Sequence, residues 1–258
     1  MKTKNILLLT ATIAPKPGVP NLKRTDPKSR LQDYERSLQF YLSMLNKGCD
    51  AIIFAENSNS DISILKKVVE DCQLSDQVEF LSFDGLDYPP HYDRGYGEFR
   101  LIDYAMENSK ILLKLNFEKN ERVVIWKVTG RYVIKNLQKI MARQPKRFDI
   151  YCNCRNHPKH WVDTFLIAWT PEAYQICLKG VYDRLKLNVS GVPPKAAAEE
   201  LLRDWLDQQS NIQMVRRFRT TPYIDGIRGA DNKGYSTDHR WKTQVRSAIN
   251  TFFPWIWI

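Results

Sequence analysis

Apolar and polar positions follow two rhythms along this chain. Short unbroken apolar runs, "NILLL", "CDAIIFAE", "VEFLSF" and "RVVIWKVTG", are separated by stretches in which apolar residues recur every three or four positions. An unbroken run suits a strand covered on both faces, and the longer spacing marks one face of a helix. The pattern predicts strands at residues 5–9, 49–56, 78–83 and 122–130, with two more in "FDIYCN" and "TFLIAW". Between them, Leu31, Tyr34, Leu38, Tyr41, Leu42 and Leu45 trace a helix with Gly48 as its stop. Further helices are expected from Asp61, over 98–109 and over 134–141.

Thr170-Pro171-Glu172 reads as an N-cap followed by proline at the first helical position, opening the helix "PEAYQICLKGVYDRL". Two last helices are expected over 196–206 and 238–252. Strands alternate with helices early and give way to helices and loops later. That order predicts an α/β fold, a single domain with a mixed, mostly parallel central sheet flanked by helices and a helical and loop C-terminal elaboration. Within that one domain the pattern changes near residue 155, from alternating strands and helices over 1–155 to the elaboration over 156–258.

Ligands in open α/β sheets gather at the carboxyl ends of the strands, so the polar groups there are the ones to read. The first strand ends in Thr10-Ala11-Thr12 and the second in Glu56-Asn57, groups able to hydrogen-bond a base, a ribose or a phosphate. Ser60 and Asp61 just beyond are ordinary helix caps. Arg94-Gly95-Tyr96-Gly97-Glu98 precedes a helix, where two glycines would let backbone N–H groups approach an anion. The fourth strand closes in "WKVTGRYVIKN", which sets Lys127, Thr129, Gly130 and Arg131 at its end. A cationic turn there is either a plain basic connection or an anion site, with Arg131 offering a two-pronged fork.

Charge sharpens this choice. Thirty-nine Lys and Arg against 29 Asp and Glu leave a net charge of +10, which favours an anionic partner. At 43% apolar and 12% aromatic, the 258 residues can bury a core. The cysteines, Cys49, Cys72, Cys152, Cys154 and Cys177, form no CxxC pair. Cys152 and Cys154 with His157 and His160 have the wrong spacing for a zinc knuckle, and reduced intracellular thiols are expected. The N-terminal run 6–9 is too short for a signal or a membrane span, so a cytoplasmic protein is expected, with contact at the inner face of the cell membrane.

Several segments taken in order, "ILLLTATIAP", "TDPKSRLQDYERSLQFYL", "AIIFAENSNSD", "GYGEFRLIDYA", "KVTGRYVIKN" and "VDTFLIAWTPEAY", resemble bacterial capsule and O-antigen glycosyltransferases with a GT-A-like nucleotide-sugar domain. "PYIDGIRGADNKGY" is similar to a Gly-rich segment of those proteins, with Arg228 where a small residue is expected. The resemblance implies transfer of a sugar from a nucleotide-sugar donor, UDP-linked by preference, to a hydroxyl of a glycan or lipid-linked acceptor. It implies that Thr10, Thr12, Arg30, Glu56 and Asn57 hold the nucleotide. Gly95, Gly97 and Glu98 would face the ribose or donor sugar, and Lys127, Thr129, Gly130 and Arg131 the diphosphate.

Many such transferases bind the diphosphate through a divalent ion on an Asp-x-Asp motif. This chain has no Asp-x-Asp, so no cofactor is firmly implied and Mg or Mn dependence is left open. Arg131 and Lys127 could hold the leaving-group charge instead, and Arg228, Lys233 and Arg240 could close over it. Asp163, Glu199 and Glu200 are the candidate bases. The terminal "RWKTQVRSAINTFFPWIWI" carries basic and aromatic residues suited to a membrane surface or to docking on the core. Two other classes compete: a nucleotidyltransferase on a related sheet, and a nucleic-acid-binding module, for which no motif is present.

Overall fold

The computed structural model describes residues 3–115, 121–192 and 196–235. The expected helix at 238–252, Arg240 and the aromatic tail lie outside the described residues. The first strand, β1 (Thr3–Ala11), is the longest, and its apolar run is buried from Ile6 onward. It pairs in parallel with β2 (Ala51–Glu56) on one side and β4 (Arg122–Thr129) on the other. Outside β2 lies β3 (Val78–Ser82), also parallel.

Alternation along β1 explains why these runs carry no polar residues in their middle. Leu7 and Leu9 face one core with Tyr34, Leu38 and Tyr41 of α1 (Pro27–Leu42) and Leu65 and Val69 of α2 (Ser63–Asp71). Ile6 and Leu8 face a second core with Phe99, Ile102 and Ala105 of α3 (Asp93–Asn108). Both faces are therefore dry, as a central strand between helix layers requires. Helix α1 starts where Asp26 accepts a 2.8 Å hydrogen bond from the Ser29 N–H and Pro27 fills the first turn. A short α4 (Lys110–Leu115) follows α3.

Beyond β4, β5 (Val133–Ile134) leaves the main sheet, and α5 (Leu137–Ala142) packs Leu137 and Ile140 into the first core. The chain then returns as β6 (Ile150–Tyr151), a hairpin of β7 (Cys154–Arg155) and β8 (Trp161–Val162), and β9 (Leu166–Trp169). Strand β9 runs antiparallel between β4 and β6. With β10 (Met214–Val215) beside β6, the main sheet has the order β10-β6-β9-β4-β1-β2-β3. The expected α/β architecture with a mixed, mostly parallel sheet is what the chain forms.

Three elements depart from expectation. Val133 and Ile134 pair with β11 (Ile224–Asp225) instead of starting a helix, because residues 221–225 lie alongside and the Lys135 N–H reaches the Tyr223 carbonyl at 2.9 Å. The helix opened by Thr170 does cap as expected, its hydroxyl accepting from the Ala173 N–H at 3.2 Å. It then changes pitch: α6 (Pro171–Ala173) passes into a π turn over Tyr174–Leu178, stops at Gly180 with φ of +73°, and resumes as a 3-10 turn at Val181–Leu185. The wide turn leaves the Cys177 carbonyl to the Trp205 indole of α7 (Ala198–Asp207), 2.7 Å away. Helix α3 begins at Asp93 and not near Glu98, so the Arg94–Gly97 segment is its first turn.

Candidate active site

The carboxyl ends of β1, β2 and β4 lie level at one rim of the sheet, with Thr10 opposite Thr129 and Ala11 opposite Glu56. Antiparallel β9 brings its opposite end, Thr164-Phe165, to the same rim, and the Thr129 N–H donates to the Phe165 carbonyl at 3.1 Å. Above this rim opens a cavity of about 620 Å³, walled by the loop after β1, the start of α3, the β7–β8 hairpin, α7 and the 221–235 loop. Of the residues picked from sequence, Thr10, Thr12, Arg30, Arg94, Gly95, Gly97, Glu98, Thr129, Arg131, Asp163, Glu199 and Arg228 line it.

Six do not, and each has a structural task. Glu56 is fully buried beneath the rim, where it accepts from the Ile13 N–H at 3.0 Å and the Ser58 N–H at 2.9 Å. Its carboxylate braces the two loops and does not face the nucleotide space. Asn57 is buried too, accepting from the Thr12 hydroxyl at 2.6 Å. Gly130 lets two strand ends touch: its N–H donates to the Thr10 carbonyl at 2.9 Å, and a Cβ there would lie 2.8 Å from that oxygen. Glu200 turns away from the cavity, accepting from the Ala197 N–H at 2.9 Å and pairing with Lys159 at 3.1 Å. The Lys233 carbonyl accepts from the Arg228 N–H, and its side chain does not reach the cavity wall.

Lys127, expected to meet a diphosphate, is fully buried below the floor. Its ammonium sits 2.6 Å from Glu98 Oε1 and 2.5 Å from the Thr164 carbonyl. Glu98 also accepts from the hydroxyls of Thr10 at 2.7 Å and Thr129 at 3.0 Å. Burial raises the Glu98 pKa, but Lys127 and these hydrogen bonds outweigh it and hold the carboxyl below its usual range. Strand alternation sends Lys127 under the sheet rim, so its charge ties β4 to α3. Lys127→Met is expected to leave Glu98 without its counter-charge and to cost about 3 kcal/mol, read as a lower urea midpoint.

The glycines of α3 are also packing residues. A Cβ on Gly95 would lie 2.2 Å from Ala198 Cβ of α7, and one on Gly97 would lie 1.9 Å from the Tyr88 hydroxyl. They permit close approach of helix and loop instead of exposing backbone to a ligand.

The charge in the cavity is uneven. Asp163 accepts from Asn153 Nδ2 at 2.7 Å and is ion-paired with Arg155. Arg228 is paired with Asp231 at 2.6 Å. Arg30 is buried with its hydrogen bonds going to the carbonyls of Thr12 and Arg24, at 2.6 and 2.9 Å, and to the Tyr34 hydroxyl. Arg131, only 6% exposed, donates to the Ile227 carbonyl at 3.0 Å, and its Nε has no partner among the described residues. Neither Arg30 nor Arg131 has a carboxylate partner among the described residues. Burial is the main force lowering the Arg30 pKa, and Arg131 adds to it. Burial also opposes the Arg131 charge, but Tyr132, Tyr34 and Asp33 outweigh it and raise that pKa.

Across the cavity Glu199 is held by one polar contact, the Thr164 hydroxyl at 3.3 Å. Burial, reinforced by Glu98, raises its pKa above the usual glutamate range, with Arg94 opposing. No group of three or more His, Cys, Asp or Glu among the described residues is arranged to hold a metal, and the cavity carboxylates Glu98 and Asp163 are already matched to cations. The donor set does not fit a divalent ion of the Asp-x-Asp kind. Cys152 and Cys154 are free and buried, with sulfurs 3.7 Å apart.

Sequence reading missed much of the far wall: Asn153, Arg155 and Trp161 on or beside the β7–β8 hairpin, and Tyr34, whose hydroxyl accepts from the Thr12 N–H at 2.8 Å. "NCRNHPKHW" signalled a polar loop but not a hairpin, since each strand is two residues long.

No protein-family model matches the chain, and no curated protein matches it. Solved structures similar to it include a protein of Desulfovibrio desulfuricans G20 assigned as a nucleotide-diphospho-sugar transferase, at 14% identity over 84% of this chain and 80% of that one, with a TM-score of 0.44. HddC from Yersinia pseudotuberculosis is 11% identical over 97% of this chain and 100% of its own, with a TM-score of 0.41. The inositol-1-phosphate CTP transferase from T. maritima is 12% identical over 97% and 96%, also at 0.41. At such scores the chemistry must be drawn from the residues themselves. Arg131 and Glu199 carry it.

Proposed function

We propose that this protein is a glycosyltransferase, moving a sugar from a nucleotide-diphosphate donor to an acceptor hydroxyl. Arg131 is a buried guanidinium with no ion-paired carboxylate among the described residues, kept charged by Tyr132, Tyr34 and Asp33, and it stands in the wall of a cavity large enough for a nucleotide sugar. In the reaction the bond between the anomeric carbon and the diphosphate oxygen breaks. The acceptor oxygen bonds to that carbon, its proton passes to Glu199, and the charge left on the diphosphate is stabilised by Arg131.

The observation that favours glycosyl transfer over nucleotidyl transfer is Glu199, a half-buried carboxyl with a raised pKa facing the cavity. A sugar phosphate attacking a nucleotide is already an anion and needs no base. A neutral hydroxyl needs one, and a carboxyl poised above its usual range is suited to take its proton. Guanidiniums enclosed in a cavity wall also favour a diphosphate group over the extended phosphate track that a nucleic-acid surface would offer. The resemblance of the rim motifs supports a role in bacterial surface polysaccharide synthesis, with a glycan or lipid-linked acceptor and contact at the inner membrane face.

A thermal-shift panel of nucleotide sugars, nucleoside diphosphates and nucleoside triphosphates, each with and without EDTA, tests this. Stabilisation by a nucleotide sugar and its diphosphate that survives EDTA is expected. Release of pyrophosphate from a triphosphate in the presence of a sugar phosphate would instead establish nucleotidyl transfer, and silence across the panel would refute both.

A further inference from the structure

Gly229 occupies an unusual place in the cavity wall. A Cβ built on it would lie 3.1 Å from Arg131 Nη2 and 3.6 Å from Arg94 Nη1, so both guanidiniums reach within 4 Å of one point. Its φ lies outside the left-handed region, so the backbone does not demand glycine there. What the missing side chain preserves is the space between two cations.

Three separate segments converge on this point. Arg131 follows β4, Arg94 stands in the first turn of α3, and Gly229 lies in the loop after β11. The Gly229 carbonyl accepts from the N–H groups of Lys23 at 2.8 Å and Arg24 at 3.1 Å, which fastens it to the loop after β1. Arg94 uses its Nε on Asp93 at 3.3 Å, and its charge also acts on Glu199 across the cavity. Arg131 donates from Nη1 to Ile227, its Nη2 lies towards Gly229, and Tyr132 shares its charge. Two guanidiniums this close repel one another, and a doubly charged oxyanion between them removes the repulsion.

We propose that Arg94 and Arg131 form a two-sided seat for one phosphoryl group, kept open by Gly229. The inference rests on the diphosphate reading of the cavity and assigns where in it the charge sits. A phosphoryl oxygen accepts from Arg131 on one side and another accepts from Arg94 on the other. The remaining phosphate of a diphosphate then lies deeper or shallower along the same wall, outside the pair.

Isothermal titration of the whole chain with UDP and with inorganic pyrophosphate decides the matter, comparing the natural sequence with Gly229→Ala and Arg94→Gln. The methyl of Gly229→Ala meets only the ends of three side chains, and Arg94 is 44% exposed, so both variants should melt as the natural protein does. Each is expected to weaken both probes about tenfold or more, the loss of one charge-assisted contact or of its room. If UDP binds the natural chain and both variants bind it as tightly, the seat is wrong and the diphosphate reading stands. If neither probe binds the natural chain, the seat and the reading fall together.

Discussion

Arg131→Met is expected to leave the protein folded while weakening donor binding about 100-fold. The guanidinium is 94% hidden from solvent, its Nε has no partner among the described residues, and it lies close to a second buried cation, Arg30. A residue kept only for the fold would not be left so. Methionine fills similar space without charge, removing a desolvation penalty but forfeiting one hydrogen bond to the Ile227 carbonyl, worth about 1 kcal/mol, and the favourable contacts with Tyr132 and Asp33. The variant should therefore stay folded, with its melting temperature within about 4 °C of the natural protein's, a change of about 1 kcal/mol for a chain of this size. Nucleoside diphosphate affinity should fall about 100-fold, the worth of a two-pronged charged contact. Binding lost with little change in stability is the mark of a site residue. If Arg131→Met melts lower and binds UDP normally, Arg131 is structural.

Glu199→Gln is expected to lower kcat about 100-fold or more and leave donor KM within about twofold. Glutamine keeps the shape and the Thr164 contact but cannot take a proton. The natural enzyme's kcat/KM should fall on the acid side with a midpoint above the ordinary glutamate range, since burial raises this carboxyl, and the variant should lose that limb. The sign for stability runs the same way. A carboxyl whose folded pKa lies above its unfolded value contributes stability at acid pH that is lost as pH rises through the folded pKa. Glu199→Gln should therefore stabilise the protein near neutral pH and do nothing for it at low pH. Asp163→Asn is a useful contrast: with Arg155 and Asn153 on it, Asp163 fits a wall-forming role, and its loss should lower stability.

The fold was legible where one physical rule dominated. Strands β1, β2 and β4 are covered on both faces, and the apolar runs "ILLL", "AIIFA" and "VVIW" could serve no other purpose. Their polar ends marked the cavity rim for the same reason. Elements set by tertiary contacts were not legible. Val133 and Ile134 look helical in isolation and become a strand because β11 arrives alongside. The π turn at Tyr174–Leu178 accompanies the contact from Trp205, far along the chain.

The site was half legible for a related reason. Spacing alone puts Lys127 and Arg131 at one strand end but does not say which faces the cavity. The strand's alternation buries Lys127 against Glu98, and only Arg131, one residue past the Gly130 turn, reaches the wall. Glycines gave the opposite error. Gly95 and Gly97 suggested a phosphate loop but make room for Ala198 and Tyr88, whereas Gly229, in a segment read as a basic lid, stands between two arginines.

The central claim is that a cationic wall, with Arg131 at its heart, binds the diphosphate of a nucleotide sugar. Titration of the whole chain with UDP in EDTA, for the natural sequence and for Arg131→Met, tests it most directly. Saturable binding by the natural chain that falls about 100-fold in a variant that stays folded is the predicted result. Binding that vanishes in EDTA, or that the variant retains, would contradict it.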